Sequence, residues 1–374
     1  MVRKNILVAS DSFKGTLSSL DICRLFQEEC TNRQDIVLKC LPIADGGEGS
    51  LQAISSVLNG RFIDTEVNDL YFDKIKTCFY LNDADAYIEC ASCVGLNLAN
   101  SDNNPGLVTT YGLGEQIIKA IENGAKNIYV FLGGSASNDG GVGLAAALGV
   151  KFFNKLGESF VPVGLTLKDI DRIDVSSLNK LLNKITINVL SDVKSPFYGP
   201  EGAAYKFAKQ KGASKEEIKL LDDGLKHLSL IIKRDLNIDI SNAPGAGAAG
   251  GLGGSLIAFA NAKVISGIDA ILEILHFDEM IKTADIVVSG EGKLDKQTFD
   301  GKVVDGVAKR CLKNNKILLL IVGESDVSIQ DVKRAYPCIK NIFETNENHL
   351  PLSLIKENAR SDYLKQIKKL LAEI

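Results

Sequence analysis

ADIVVSGEGKLDKQTFDGK (284–302) is a short apolar run, a polar loop bearing glycines, and the approach to a helix. Helical periodicity follows from Val303 to Asn314, and ILLLIVG (317–323) is a second, strongly apolar strand. Strand, loop, helix and strand is the repeating unit of a parallel sheet covered by helices. The same order opens the chain. NILVAS (5–10) is a strand leading into a polar loop. Ser18 or Ser19 caps a helix running to about Cys30, with Leu20, Ile22, Leu25 and Phe26 on its apolar side. IVLKCLPI (36–43), the loop ADGGEGS (44–50) and another helix follow, and a last helix is expected over Leu354 to Ala372.

The middle reads differently. RFIDTEV (61–67), KIKTCFYL (74–81) and AYIECAS (86–92) alternate only partly and have little helix between them, which predicts a mixed sheet. Helices return around Leu113 to Asn123, Gly141 to Leu148 and Lys215 to Lys233. At 374 residues the chain is too long for one ordinary core. The expectation is a discontinuous parallel α/β domain from residues 1–66 and 291–374, and an inserted α/β domain with a mixed sheet from 67–290.

Composition narrows the function classes. Charged residues make up 24% of the chain and the net charge is -4, so no polybasic surface is expected for nucleic acid or an anionic membrane. Ile6 to Ala9 is too short for a signal peptide's apolar core, and no stretch reaches membrane-spanning length. Eight cysteines without a secretory leader fit reduced thiols and a cytoplasmic protein. Cys90-Ala-Ser-Cys93 is a lone CxxC; with three histidines and no second CxxC, it reads as structural.

Five polar segments follow strand-like runs: SDSFKGT (10–16), ADGGEGS (44–50), GGSASNDGG (133–141), SDVKSPFYGPEG (191–202) and SGEGKLDKQTFDGK (289–302). Loops at the carboxyl ends of parallel strands converge on one ligand crevice, which predicts a cleft between the two domains. They carry the acids Asp11, Asp45, Glu48, Asp139, Asp192, Glu291 and Asp295. They also carry Lys14, Lys293 and Lys302, the hydroxyls of Ser12, Ser135 and Thr298, and the bare backbone of Gly46, Gly47, Gly133 and Gly134. Acids and bases in one crevice suit phosphoryl transfer from a nucleotide. Carboxylates hold Mg²⁺, lysines and N–H groups stabilise the transferred charge, and one carboxylate takes the acceptor's proton.

Each segment also has a structural reading. Asp11 and Ser12 fit a turn and cap. Asp45-Gly-Gly fits a turn, with Glu48 favoured by a helix N-terminus. Glu291 and Asp295 fit loop acids paired with Lys293 and Lys296. PGAGAAGGLGGSL (244–256) contains a GxGxxG string, but no strand precedes it. It fits close packing of small residues as well as phosphate binding at a helix N-terminus.

In combination these motifs resemble the two-domain bacterial glycerate kinase family, of the glycerate 2-kinase type. SDSFKGT corresponds to the family's PDSFKGS, LPIADGGEGS to LPVADGGEGT, and GGSASNDGG to GGSATNDGG. PGAGAAGGLG (244–253) is unchanged, GEGKLDKQTFDGK matches GEGRxDxQTxxGK, and VTTYGLGE (108–115) matches as well. The blocks keep their order from residue 10 to residue 302. The fourth loop is looser: Ser195 and Lys209 depart from Asn and Pro, while Asp192, Pro196, Gly199, Pro200, Gly202 and QKGA (210–213) remain. Lys293 for Arg keeps the charge but loses the bidentate fork.

The resemblance implies a flavodoxin-like domain with the second α/β domain inserted. It implies ATP-dependent phosphorylation of D-glycerate, most often at the 2-hydroxyl, to give 2-phosphoglycerate and ADP. The alternatives are a kinase of another small hydroxy acid and a non-catalytic sensor of a phosphorylated metabolite. On this reading Asp192 is the first choice of general base and Asp45 the second, and Lys14 neutralises the glycerate carboxylate or a phosphate. Ser12, Ser135, Asn138, Asp139, Lys293, Thr298, Lys302 and the glycine amides hold oxygens, and Asp11, Glu291 and Asp295 hold Mg²⁺. The expected partners are small molecules, glycerate and ATP, with neither nucleic acid nor membrane.

Overall fold

The computed structural model describes residues 3–13, 15–44, 46–47, 49–178, 182–299 and 301–374. Fourteen strands run along them: Lys4–Val8 (β1), Ile36–Cys40 (β2), Arg61–Asn68 (β3), Lys74–Asn82 (β4), Asp85–Glu89 (β5), Asn127–Phe131 (β6), Lys151–Phe153 (β7), Ser159–Phe160 (β8), Arg172–Asp174 (β9), Thr186–Leu190 (β10), Lys263–Ile265 (β11), Ile286–Leu294 (β12), Ile317–Ser325 (β13) and Ile339–Glu344 (β14). Two compact units share them. The first is Met1–Asp45, Gln52–Leu58 and Ser266–Ile374; the second is Gly46–Leu51 and Asn59–Ile265. Residues 266–290, grouped with the insertion by the sequence reading, supply two helices and the start of β12 to the first unit.

The first unit holds a five-stranded sheet in the order β14-β13-β12-β1-β2, parallel throughout. Renumbered along this unit, the order is 2-1-3-4-5, the flavodoxin-like doubly wound arrangement. ILLLIVG forms β13, buried from Leu318 to Val322, as a central strand covered on both faces requires. Ser18 is the cap of the first helix, Ser19–Cys30. Its hydroxyl accepts from the Asp21 N–H, and the Asp21 carboxylate accepts from the Ser18 N–H, a capping box. Ile22, Leu25 and Phe26 are buried as expected, with Cys23 beside them, while Leu20 is only half-buried.

The last helix, Leu352–Ala372, closes this core with Tyr363, which is fully buried. Its ring meets Phe13 edge-on at 5.2 Å and Phe26 at 6.4 Å. Tyr363 thereby packs the loop after β1 and the first helix against one ring.

The second unit holds a mixed sheet in the order β11-β10-β6-β5-β4-β3. β3, β4 and β5 pair antiparallel; β5, β6, β10 and β11 pair parallel. A three-stranded antiparallel sheet, β8-β7-β9, also lies here. Its strands are two or three residues long, too short for alternation to register. Helix Lys215–Leu236 starts at a Ser214–Glu217 capping box and ends on Asn237 in the left-handed region. Among the described residues no helix is long and apolar enough to cross a membrane.

Tyr363→Ala should cost about 3–5 kcal/mol, the usual loss for a large ring deleted from a packed core. Urea unfolding followed by circular dichroism measures it, as a lower midpoint for the first unit.

Candidate functional site

The sheet order of the first unit reverses between β1 and β12, and the chain leaves these two strands toward opposite faces. Ligands of open α/β sheets bind outside the carboxyl ends of the strands at such a point. Asp11 follows β1 and Glu291 lies near the end of β12. The β1–β12 register, Val8 beside Val288, continues through the Asp11 N–H bond to the Gly290 carbonyl at 3.0 Å. Carried three residues on, it sets Asp11 beside Glu291.

Both carboxylates are buried. Asp11 Oδ1 accepts from the Ser12 N–H at 2.7 Å. Glu291 Oε1 is buried with no hydrogen-bond partner, and Oε2 lies 3.6 Å from Lys302 Nζ. Lys302 is also 3.6 Å from Asp295 Oδ1. Burial raises the Glu291 pKa, against the pull of Thr298 and Lys302. Asp295 and Thr298 bond reciprocally, Asp295 N–H to Thr298 Oγ1 at 3.0 Å and Thr298 N–H to Asp295 Oδ1 at 3.1 Å. Lys293 turns elsewhere, to Glu324 at 3.0 Å and Asp326 at 2.9 Å. Lys14, Asp45 and Glu48 lie outside the described residues.

In the second unit the glycine loops meet backbone to backbone. The Gly133 N–H donates to the Gly46 carbonyl at 3.3 Å, and a Cβ on Gly133 would stand 2.5 Å from Gly47 Cα. Phe131 and Leu190, the last residues of β6 and β10, flank Gly46. Asp192, two residues past β10, is half-buried. The ends of two parallel strands, β6 and β10, thus stand beside the 46–47 segment.

GGSASNDGG divides into two parts. Gly133 is half-buried and Gly134 exposed, whereas every residue from Ser135 to Gly141 is buried. Asp139 has no exposed surface and its carboxylate accepts four bonds: from Thr110 N–H at 2.9 Å, Thr110 Oγ1 at 2.8 Å, Gly141 N–H at 2.9 Å and Gly143 N–H at 3.3 Å. Burial raises its pKa against those donors. Asp139 therefore fastens the loop to the start of helix Val142–Ala147. Ser137 Oγ and both polar atoms of the Asn138 amide are buried without a partner.

The 244–256 segment packs behind this loop. Gly250 adopts φ +71°, and a Cβ there would lie 2.2 Å from the Ser137 carbonyl oxygen. The Gly140 N–H donates to the Gly250 carbonyl at 3.0 Å. These glycines serve close backbone approach. The CxxC thiols are free and buried. Cys90 Sγ donates to the Gly133 carbonyl at 3.3 Å, and burial pushes its pKa up to about 12, as suits a structural thiol.

Two site-lining residues escaped the site list drawn from the sequence. Glu89, at the end of β5, accepts the Leu51 N–H at 2.8 Å and so holds the start of helix Ser50–Ser55. Lys211 is buried, and its ammonium donates to Ser135 Oγ at 2.9 Å and the Ser137 carbonyl at 2.8 Å. The QKGA block was visible in the sequence, but nothing local shows that its lysine points inward.

Fold and site together define a doubly wound α/β protein with an inserted mixed-sheet unit and polar glycine loops at strand ends. Residues 6–374 match the Glycerate kinase family, and the chain belongs to that family. It is 39% identical to a glycerate kinase of Bacillus cereus, over 86% of this chain and 85% of the relative. It is 37% identical to the glycerate 2-kinase of Escherichia coli K12, over 85% and 84%. A crystal structure of a glycerate kinase 2 from Salmonella typhimurium LT2 superposes with a TM-score of 0.84 at 33% identity, covering 99% of this chain and 98% of that one.

Gly250→Ala should destabilise the protein by more than about 1 kcal/mol, because alanine is strained at this φ and has no room. Thermal melting measures that loss, and the rate of ATP-dependent glycerate phosphorylation should fall with it.

Proposed function

We propose that this protein phosphorylates D-glycerate with ATP, at the 2-hydroxyl, giving 2-phosphoglycerate and ADP. The carrying observation is the carboxylate pair Asp11 and Glu291 at the switch point of the sheet, in a chain that belongs throughout its length to a family of glycerate kinases. Phosphoryl transfer asks the protein mainly for positioning and charge stabilisation.

Asp192 accepts the proton of the attacking hydroxyl, and Asp45 is the second choice on its motif alone. Ser12 and Lys14 in the first unit, on their motif, and the exposed backbone at Gly134 in the second each offer donors to anionic oxygens. Lys302, between two carboxylates, is poised to exchange them for a phosphate. Asp139 acts by holding its loop.

The donor set fits Mg²⁺. Glu291 Oε1 is a buried carboxylate oxygen without a partner, and Asp11 stands beside it in register. Among the described residues no three His, Cys, Asp or Glu side chains form a protein cage. Mg²⁺ needs none, since one or two carboxylates and substrate phosphates usually hold it. Asp11 and Glu291, with Asp295 beyond Lys302, would hold it. When bound, it would shield the phosphate charge.

A ³¹P NMR assay with D-glycerate, ATP and Mg²⁺ tests the reading. A 2-phosphoglycerate signal is expected; a 3-phosphoglycerate signal overturns the regiochemistry, and turnover only with another hydroxy acid overturns the substrate. Asp192→Asn should lower kcat on the order of 10² or more, and turnover within about threefold of wild type would remove Asp192 from the base's role. Glu291→Gln should raise the Mg²⁺ concentration for half-maximal rate by about tenfold or more, since even outer partners of a metal carry about 10–100-fold. An unchanged Mg²⁺ titration would displace the metal from Glu291.

A further inference from the structure

We infer that Lys211 is a positioning residue for the reaction: it braces the Gly133–Gly141 loop from beneath and supplies the buried positive charge behind an anion-binding backbone. This deepens the glycerate kinase reading and rests on it.

The geometry is specific. Lys211 ends a 3₁₀ turn, Lys209–Lys211, and lies more than seventy residues along the chain from the loop it contacts. Its ammonium bridges the Ser135 hydroxyl and the Ser137 carbonyl, at either side of Ala136. Asn103 clamps the same place from another segment, donating to the Lys211 carbonyl at 2.7 Å and the Ala136 carbonyl at 3.4 Å. Gly212, at φ +106°, admits this approach; a Cβ there would stand 2.0 Å from the Asn103 carbonyl oxygen. Three successive residues of the loop are therefore tied to one lysine and its clamp. The next residue outward, Gly134, is exposed.

No carboxylate lies within ion-pair distance of Lys211 among the described residues. Burying an ammonium without a paired acid is costly, so a core that needed only packing would favour an apolar side chain here. An anion drawn to the glycine backbone would offset that cost. The titratable groups facing the ammonium are Cys90 and Asp139. Both pKa values are raised by burial, so the thiol stays neutral across ordinary assay conditions. Burial lowers Lys211 to about 8. The brace is therefore charged below about pH 8 and loses its proton above it, and the rate should fall on that side.

The experiment measures kcat/KM for D-glycerate against pH in wild type, Lys211→Met, Lys211→Arg and Ser135→Ala. Wild type should lose rate above about pH 8. Lys211→Arg should keep its rate to higher pH, because guanidinium does not titrate there. Lys211→Met should lose on the order of 10² at neutral pH, the effect of a misplacement of about 1 Å. Ser135→Ala removes an acceptor from the ammonium and should move the alkaline limb to lower pH. A Lys211→Met enzyme within about threefold of wild type, or a limb unmoved in both Lys211→Arg and Ser135→Ala, overturns the inference. If Lys211→Met does not fold, the other two variants decide.

Hydrogen exchange of the 134–139 amides without substrate separates the two readings. Faster exchange confined to this loop in Lys211→Arg or Ser135→Ala, in a protein inactive on glycerate, would keep the brace and remove the substrate. Unchanged exchange with an unmoved alkaline limb would remove the brace and keep the kinase.

Discussion

The parallel pairing of β1 with β12 is the constraint on which the first unit depends. A sheet built outward from β1 in one direction only would send every crossover to one face. Here β2 lies on one side of β1 and β12 on the other, so the connections that follow β1 and β12 leave on opposite faces and the strand ends stand apart. The backbone bond from Asp11 to Gly290 extends the ladder past the last paired residues. It carries two acids into that gap at a separation set by the sheet, with no side-chain contact needed to bring them together.

The second unit solves the opposite problem. Its sheet order follows the chain without reversal, so no gap opens at a switch point. The site there is made by bare backbone, and bare backbone needs support. Asp139 takes four donors, the 244–256 glycines press from behind, and Thr110 Oγ1, which donates to Asp139, also accepts the Leu144 N–H. Two of the four glycines in GGSASNDGG, Gly140 and Gly141, are consumed in this packing, leaving Gly133 and Gly134 at the surface.

Much of this was legible in the sequence where a signal is local. A cap at Ser18 or Ser19 announces the first helix, and the structure settles on Ser18 through its bonds to Asp21. The unbroken apolar run of β13 declares a strand covered on both faces. The five polar loops declare themselves by following strands. What could not be read is which way a side chain points inside a loop. Asp139 and Asp192 look alike in sequence; one is fully buried among four donors and the other half-buried at a strand end. Lys293 and Lys302 differ by nine positions, yet only Lys302 faces Glu291, because Lys293 finds two acids on and just beyond β13. Lys211 was hidden for a related reason: its partners are distant in sequence. The two- and three-residue strands β7 to β9 fell below the length at which a period can be seen.

The path of the chain through its two units has a consequence for synthesis. β1 and β2 are made first, but β12, which completes the middle of their sheet, begins at Ile286. During translation the opening strands wait, one flank of β1 unpaired, while nearly the whole second unit emerges as a largely contiguous stretch. Closing a loop of that length costs little more than closing one half as long, but pairings this distant form slowly. The nascent protein thus carries an exposed β1 flank until late in its manufacture, the kind of surface that chaperones cover.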